Sequence, residues 1–131
     1  MKVHVRIKLS ALWTSVMLCY LYGDFFGLYV PGTVKHMLNG EIGELGPATQ
    51  GIVLAMALTM AIPSAMVFLS LVLEARICRW ANIVLGALYT AIMLVSMSGM
   101  WTFYIALGVI EIVLTLFIVR YAWTWPKRVA A

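Results

Sequence analysis

The sequence predicts an all-α polytopic membrane protein, a bundle of four transmembrane helices with both termini in the cytoplasm. Three observations carry this. Hydrophobic residues make up 64% of the 131 and charged residues only 11%, where soluble domains hold about 45–50% and about 25%. Mean hydropathy is +1.01. The apolar residues fall in four stretches, each near the roughly 20 residues that a helix needs to cross a hydrocarbon core of about 30 Å. One domain, residues 1–131, is expected from this length.

The first span is read over residues 9–30, LSALWTSVMLCYLYGDFFGLYV, after Lys2, Arg6 and Lys8. At about 1.5 Å per residue it reaches about 33 Å. A basic segment before an apolar run also suits a signal peptide. This run exceeds the usual h-region of about 7–15 residues, and no A-x-A site follows, so it is expected to remain as a helix. Pro31 and Gly32 are expected to stop it. Residues 31–50 form a polar, glycine-rich outer loop. Within it Thr33 is placed to N-cap a short turn through Leu38, closed by Asn39-Gly40.

The second span covers about 51–73, with Pro63 in its middle as a kink that neighbouring helices tolerate. Glu74, Arg76 and Arg79 mark a return to water. The third span covers about 80–97, and the uncharged link SGMW leads to the fourth, about 102–121.

Orientation follows from charge. Cytoplasmic termini place Lys2, Arg6, Lys8, Arg76, Arg79, Arg120, Lys127 and Arg128 inside, leaving Lys35 alone of the nine basic residues outside, as the positive-inside rule requires. Trp80, Trp123 and Trp125 then fall at the inner boundary, and Tyr29 and Trp101 at the outer. The expected location is the cell (inner) membrane. Basic residues at segment ends make no phosphate-tracking face, so no nucleic-acid partner is expected despite the net charge of +4.

Small residues at four-residue spacing mark packing faces. They are Gly23 and Gly27 in the first helix, Gly51, Ala55 and Thr59 or Ala57, Ala61 and Ala65 in the second, and Gly86 and Thr90 in the third. Gly108 joins the packing set in the fourth. A homodimer is one use for so many rows, with the lipid bilayer as the other partner.

Two carboxylates lie within the hydrocarbon. Asp24 is about 10 Å below Pro31, and Glu111 about 15 Å below Trp101, both measured from the outer face by helical rise. A charge at the bilayer centre costs about 2.5–3.5 kcal/mol, and no basic residue sits at that depth. The two acids must be protonated, share a proton, meet water or hold a cation. Tyr104, Gly108, Glu111 and Thr115 form one stripe of the fourth helix; Trp13, Met17, Tyr20 and Asp24 form one of the first. Thr59, Ser64, Tyr89 and Thr90 are placed to add hydroxyls. Asp24, Glu111, Tyr20, Tyr104 and Thr115 are therefore the candidate ligand- or proton-binding residues. The bland alternative is a neutral Asp and Glu bonded to hydroxyls, selecting one packing.

Other constellations carry less. His36 with Glu41 and Glu44 sits among glycines that break any ligand spacing, so no metal site is expected. His4 reads as solvated. Cys19 falls in mid-membrane and Cys78 in the short cytoplasmic loop, as small hydrophobes rather than a redox pair. No axial histidine pair crosses the bilayer, which disfavours b-type haem, and no cofactor is expected. No nucleophile–base set, metal set or phosphate loop accompanies the acids, so no catalytic residue is assigned.

LWTSVML with YGDFFGLYVPG, then IPSAMVFLS, RWANIV and the closing YAWTW, resemble a family of small bacterial and archaeal four-helix membrane proteins known as a domain of unknown function. More distantly they resemble DoxX-like proteins. The resemblance covers nearly the whole chain. It implies the topology, a single domain and no established activity. Asp24, Pro31, Gly32, Pro63, Arg79, Trp80, Asn82 and Glu111 match family positions. Ala61 stands where that family often has a glutamate before Ile-Pro, which argues against a multi-carboxylate cation site.

Three functions follow. The first is a transporter-like module that binds or moves a cationic or lipophilic small molecule against protons at Asp24 and Glu111. The second is a non-catalytic structural or accessory membrane protein. The third is an enzyme acting on a lipid or quinone, with one acid as general acid or base.

Overall fold

The computed structural model describes residues 3–125, apart from the side chain of Glu44; Lys2, Lys127 and Arg128, counted in the charge argument, lie outside the described residues. Helices follow in the order α1 (Val5–Gly27), α2 (Thr33–Leu38), α3 (Gln50–Val72), α4 (Ala75–Ser96) and α5 (Thr102–Trp123). A 3-10 turn, Gly43–Leu45, sits in the α2–α3 connection, where the isolated Glu41–Pro47 bridge is the nearest thing to a strand.

Three helices, α3, α4 and α5, are long and apolar enough to cross a membrane. The fourth long helix, α1, is 23 residues, about 34 Å by rise, but carries Arg6, Lys8 and Asp24. Much of the bundle's outer surface is Leu, Val, Ile and Phe: Leu21, Leu54, Phe68, Val84, Val95 and Leu116 are all at least half exposed. A contiguous apolar surface on this scale is foreign to soluble monomers.

One side of each long helix is buried at heptad-like spacing. Leu9, Trp13, Val16, Tyr20 and Gly23 line it on α1, and Gly108, Glu111, Thr115, Ile118 and Ala122 on α5. Pro63, Met66 and Ser70 do so on α3, and Cys78, Asn82, Gly86, Tyr89 and Met93 on α4. Spacings of three and four are those of near-antiparallel bundles, in which side chains of one helix enter gaps of the next. α5 packs on both α1 and α4, and α1 on α3, whereas α3 and α4 scarcely meet.

Small residues decide the closest approach. A Cβ built on Gly86 would lie 2.8 Å from Val119 Cγ2 and 3.3 Å from the Thr115 carbonyl oxygen. At Gly108 it would lie 2.8 Å from Met97 Sδ. Gly23 leaves ordinary space, 3.6 Å to Leu107, and Gly27 faces nothing within 4 Å. Gly27 therefore meets no neighbouring helix within this bundle. It closes α1 at the bundle's edge, and four-residue spacing alone does not say which glycine meets a neighbour.

The start of α1, the α3–α4 turn and the end of α5 meet at one end, which is rich in basic and aromatic residues. Arg6 Nη1 donates to the Ser70 carbonyl (3.2 Å), and its guanidinium lies 5.4 Å from the Trp125 ring. Lys8 Nζ lies 5.1 Å from the Tyr121 ring. Arg79 donates to the Ala122 and Trp123 carbonyls at 3.0 and 2.9 Å, adding donors to carbonyls of the last turn of α5. Beneath this layer Asn82 is fully buried. Its Oδ1 accepts from Trp13 Nε1 at 2.7 Å, and its Nδ2 donates to the Cys78 carbonyl at 2.8 Å.

Two helices start earlier than the sequence predicts, because charged residues join them. α1 starts at Val5 and α4 at Ala75, because Arg6 and Arg79 extend along the bundle to carbonyls and rings rather than leaving the helix. Cys78 is therefore a buried helical residue, its Sγ 3.4 Å from the Ser70 carbonyl oxygen, and not a loop residue. His4 is the N-cap of α1, where its Nδ1 accepts from Arg6 N–H at 3.1 Å. α1 ends at Gly27, before Pro31, through three-residue turns such as Leu28 N–H to the Phe25 carbonyl. Gly32, with φ +90°, is the N-cap of α2, so Thr33 is the first helical residue rather than the cap. That φ suits glycine, which has no Cβ to clash.

Candidate functional site

Pro63 sets the geometry of the site. It lies inside α3 and is fully buried. Having no N–H, it leaves the carbonyl four residues earlier, that of Thr59, without its helical donor. The Tyr89 hydroxyl, reaching from α4, donates to the Thr59 carbonyl oxygen at 2.6 Å. One proline thus creates an acceptor that ties α3 to α4 where the two helices otherwise part, and fixes the Tyr89 ring. Trp13 meets that ring edge-on at 6.2 Å between centroids, and Tyr20 lies 6.5 Å away.

Beside this tie lies a cavity of about 130 Å³ walled by all four long helices. α1 contributes Tyr20, Gly23 and Asp24; α3 contributes Thr59 and Met60; α4 contributes Tyr89, Ile92, Met93 and Ser96; α5 contributes Tyr104, Leu107 and Glu111. Glu111 is 3% exposed and Tyr20 8%, whereas Asp24 is exposed at the rim. No hydrogen bond or ion pair to a described residue holds the Glu111 carboxyl, yet its oxygens are not shut off from the cavity space. The acid deepest in the bundle therefore faces the cavity unpartnered. Met93, which lines the cavity, and Met97 close over Gly108.

Of the residues singled out by sequence, Asp24, Glu111, Tyr20, Tyr104, Thr59 and Tyr89 share this cavity, with Gly23 in its wall. Thr115 does not. Its hydroxyl is paired with that of Thr90 at 2.6 Å and donates to the Ile112 carbonyl at 3.1 Å. The stripe that carries Tyr104 and Glu111 runs on past the cavity floor, and Thr115 serves the α4–α5 contact. Thr90 is likewise spent there. Ser64 donates to the Met60 carbonyl and faces a different groove. Gly108 lies behind the wall, and Pro63 acts through Tyr89.

Ser96, Met60, Met93 and Leu107 are lining residues that sequence reasoning did not single out. Ser96 was the one with a signal, a hydroxyl on the face shared with Tyr89. His36 and Glu41 pair at 2.9 Å in the exposed loop. Among the described residues no cluster of three or more His, Cys, Asp or Glu side chains comes together.

The arrangement defines a class: a small all-helical bundle with membrane-length apolar helices and an acid-bearing cavity among them. The chain belongs to DUF6326, a family of unknown function, whose family model matches residues 2–131. No curated protein and no solved structure matches the chain.

Proposed function

We propose that this protein spans the cell (inner) membrane four times with both termini in the cytoplasm, and binds a cationic or lipophilic small molecule at the Glu111 cavity in exchange for protons. α1 serves as the fourth span. Support for that comes from its length, from Asp24 facing the cavity, and from Arg6 and Lys8 lying over rings at the basic end, where the positive-inside rule favours the cytoplasm.

The observation that carries the functional reading is the unpartnered carboxyl of Glu111, 3% exposed, on a cavity that also holds Asp24. An ionisable residue at membrane depth is costly and is retained mostly where it moves protons or holds ligand. A carboxyl meeting a cation within such a bundle gives up its proton as the ligand arrives, which links the two fluxes.

The test is flux in proteoliposomes under an imposed pH gradient, with reporter fusions at both ends for orientation. Asp24→Asn or Glu111→Gln abolishes pH-dependent binding or flux on this reading. Unchanged flux in both variants rejects it.

A further inference from the structure

We infer that the cavity is built for a compact protonated alkylamine, its ammonium group hydrogen-bonded to Glu111 and its carbons against the tyrosine and methionine walls. This rests on the reading of the cavity as a cation site and narrows it to one chemical class. Size sets the first limit. A closed cavity of about 150 Å³ takes a benzene-sized guest, so the 130 Å³ within this one, which opens at its Asp24 rim, seats about five or six non-hydrogen atoms. Drug-sized ligands need sites of about 300–1,000 Å³.

The lining sets the second limit. The rings of Tyr20, Tyr89 and Tyr104 and the side chain of Met93 present surfaces that favour a cation carrying C–H groups. A bare metal ion would need a denser set of oxygen ligands than two carboxylates and scattered hydroxyls. Acceptors set the third limit. Glu111 and Asp24 offer carboxylate oxygens, and the Tyr20 hydroxyl engages no described partner and is not sealed off. An ammonium bearing N–H groups satisfies these acceptors. A quaternary one leaves them unfilled, which costs a charge-assisted hydrogen bond.

The experiment is calorimetric binding to the full-length protein in nanodiscs, with n-butylammonium, tetramethylammonium, tetraphenylphosphonium and Na⁺ as probes. Expected are saturable n-butylammonium binding, tetramethylammonium weaker by about tenfold or more, and no competition by the other two. Glu111→Gln weakens n-butylammonium by about tenfold or more. Tyr20→Phe, which keeps the ring and removes only the hydroxyl, weakens n-butylammonium a few-fold and leaves tetramethylammonium unchanged, so the inference stays testable if Glu111→Gln does not fold. Tighter, Glu111-dependent binding of tetraphenylphosphonium, or equal affinity for the two small cations, overturns this inference and leaves the broader cation-site reading standing. Glu111-independent binding throughout, or none, overturns both.

Discussion

The bond from Tyr89 to the Thr59 carbonyl exists because of Pro63, and that dependence is measurable. Tyr89→Phe removes the donor and leaves the ring in place. With proline at 63 no backbone N–H replaces it, so a partly buried carbonyl at the cavity wall goes unpaired. An unsatisfied buried acceptor costs about 1–3 kcal/mol. Side-chain hydrogen bonds between membrane helices average about 0.6 and reach about 1.7 kcal/mol. The bond is short, 2.6 Å, but only partly buried beside the cavity, which sets the expected loss near 1 kcal/mol, about a fivefold change in the unfolding equilibrium.

Pro63→Ala supplies an N–H four residues after Thr59. In that background the Thr59 carbonyl has a helical donor, and Tyr89→Phe is expected to cost less than about 0.5 kcal/mol. The coupling energy of the cycle is then roughly 0.5–1 kcal/mol. Reversible unfolding in bicelles, followed by steric trapping, resolves such differences without relying on an irreversible melt. Equal costs of Tyr89→Phe in both backgrounds refute the claim that proline created the acceptor.

Four other outcomes follow. Gly86→Ala forces a methyl against Val119 and the Thr115 carbonyl and is expected to cost about 1–3 kcal/mol, whereas Gly108→Ala meets flexible methionine side chains and costs less; the ranking in a detergent-stability assay checks this. Asn82→Leu strands the Trp13 indole N–H, with an expected loss of about 1–2 kcal/mol that shrinks when Trp13→Phe is added. Arg79→Met, which keeps the stem but removes both bonds to the α5 carbonyls, lowers stability and accelerates amide exchange at 121–123, while Arg79→Lys restores part of the protection. Buried Cys78 resists maleimide labelling in the native protein and reacts after unfolding, read by mass spectrometry against Cys19.

Composition and hydrophobic run length were enough to specify a helical membrane-type chain, since a long apolar stretch has few other ways to satisfy its backbone. The same reasoning located two acids away from any cation, because charge and helical rise are properties of the sequence itself. Which acid is buried was a different matter. Asp24 and Glu111 look alike along the chain, but α5 packs between α1 and α4, so Glu111 faces inward while Asp24 stays at the rim.

Tertiary structure also decided the fate of look-alike residues. Thr115 shares a stripe with Glu111, yet Thr90 on the facing helix takes its hydroxyl. Gly27 shares a spacing with Gly23, yet no neighbour reaches it. Arg6, Arg79 and Asn82 turned out to hold the basic end together through carbonyls and indoles that are remote in sequence. Helical period says which residues share a face; only packing says what that face meets, because partners 25 to 69 residues away are brought there by the fold.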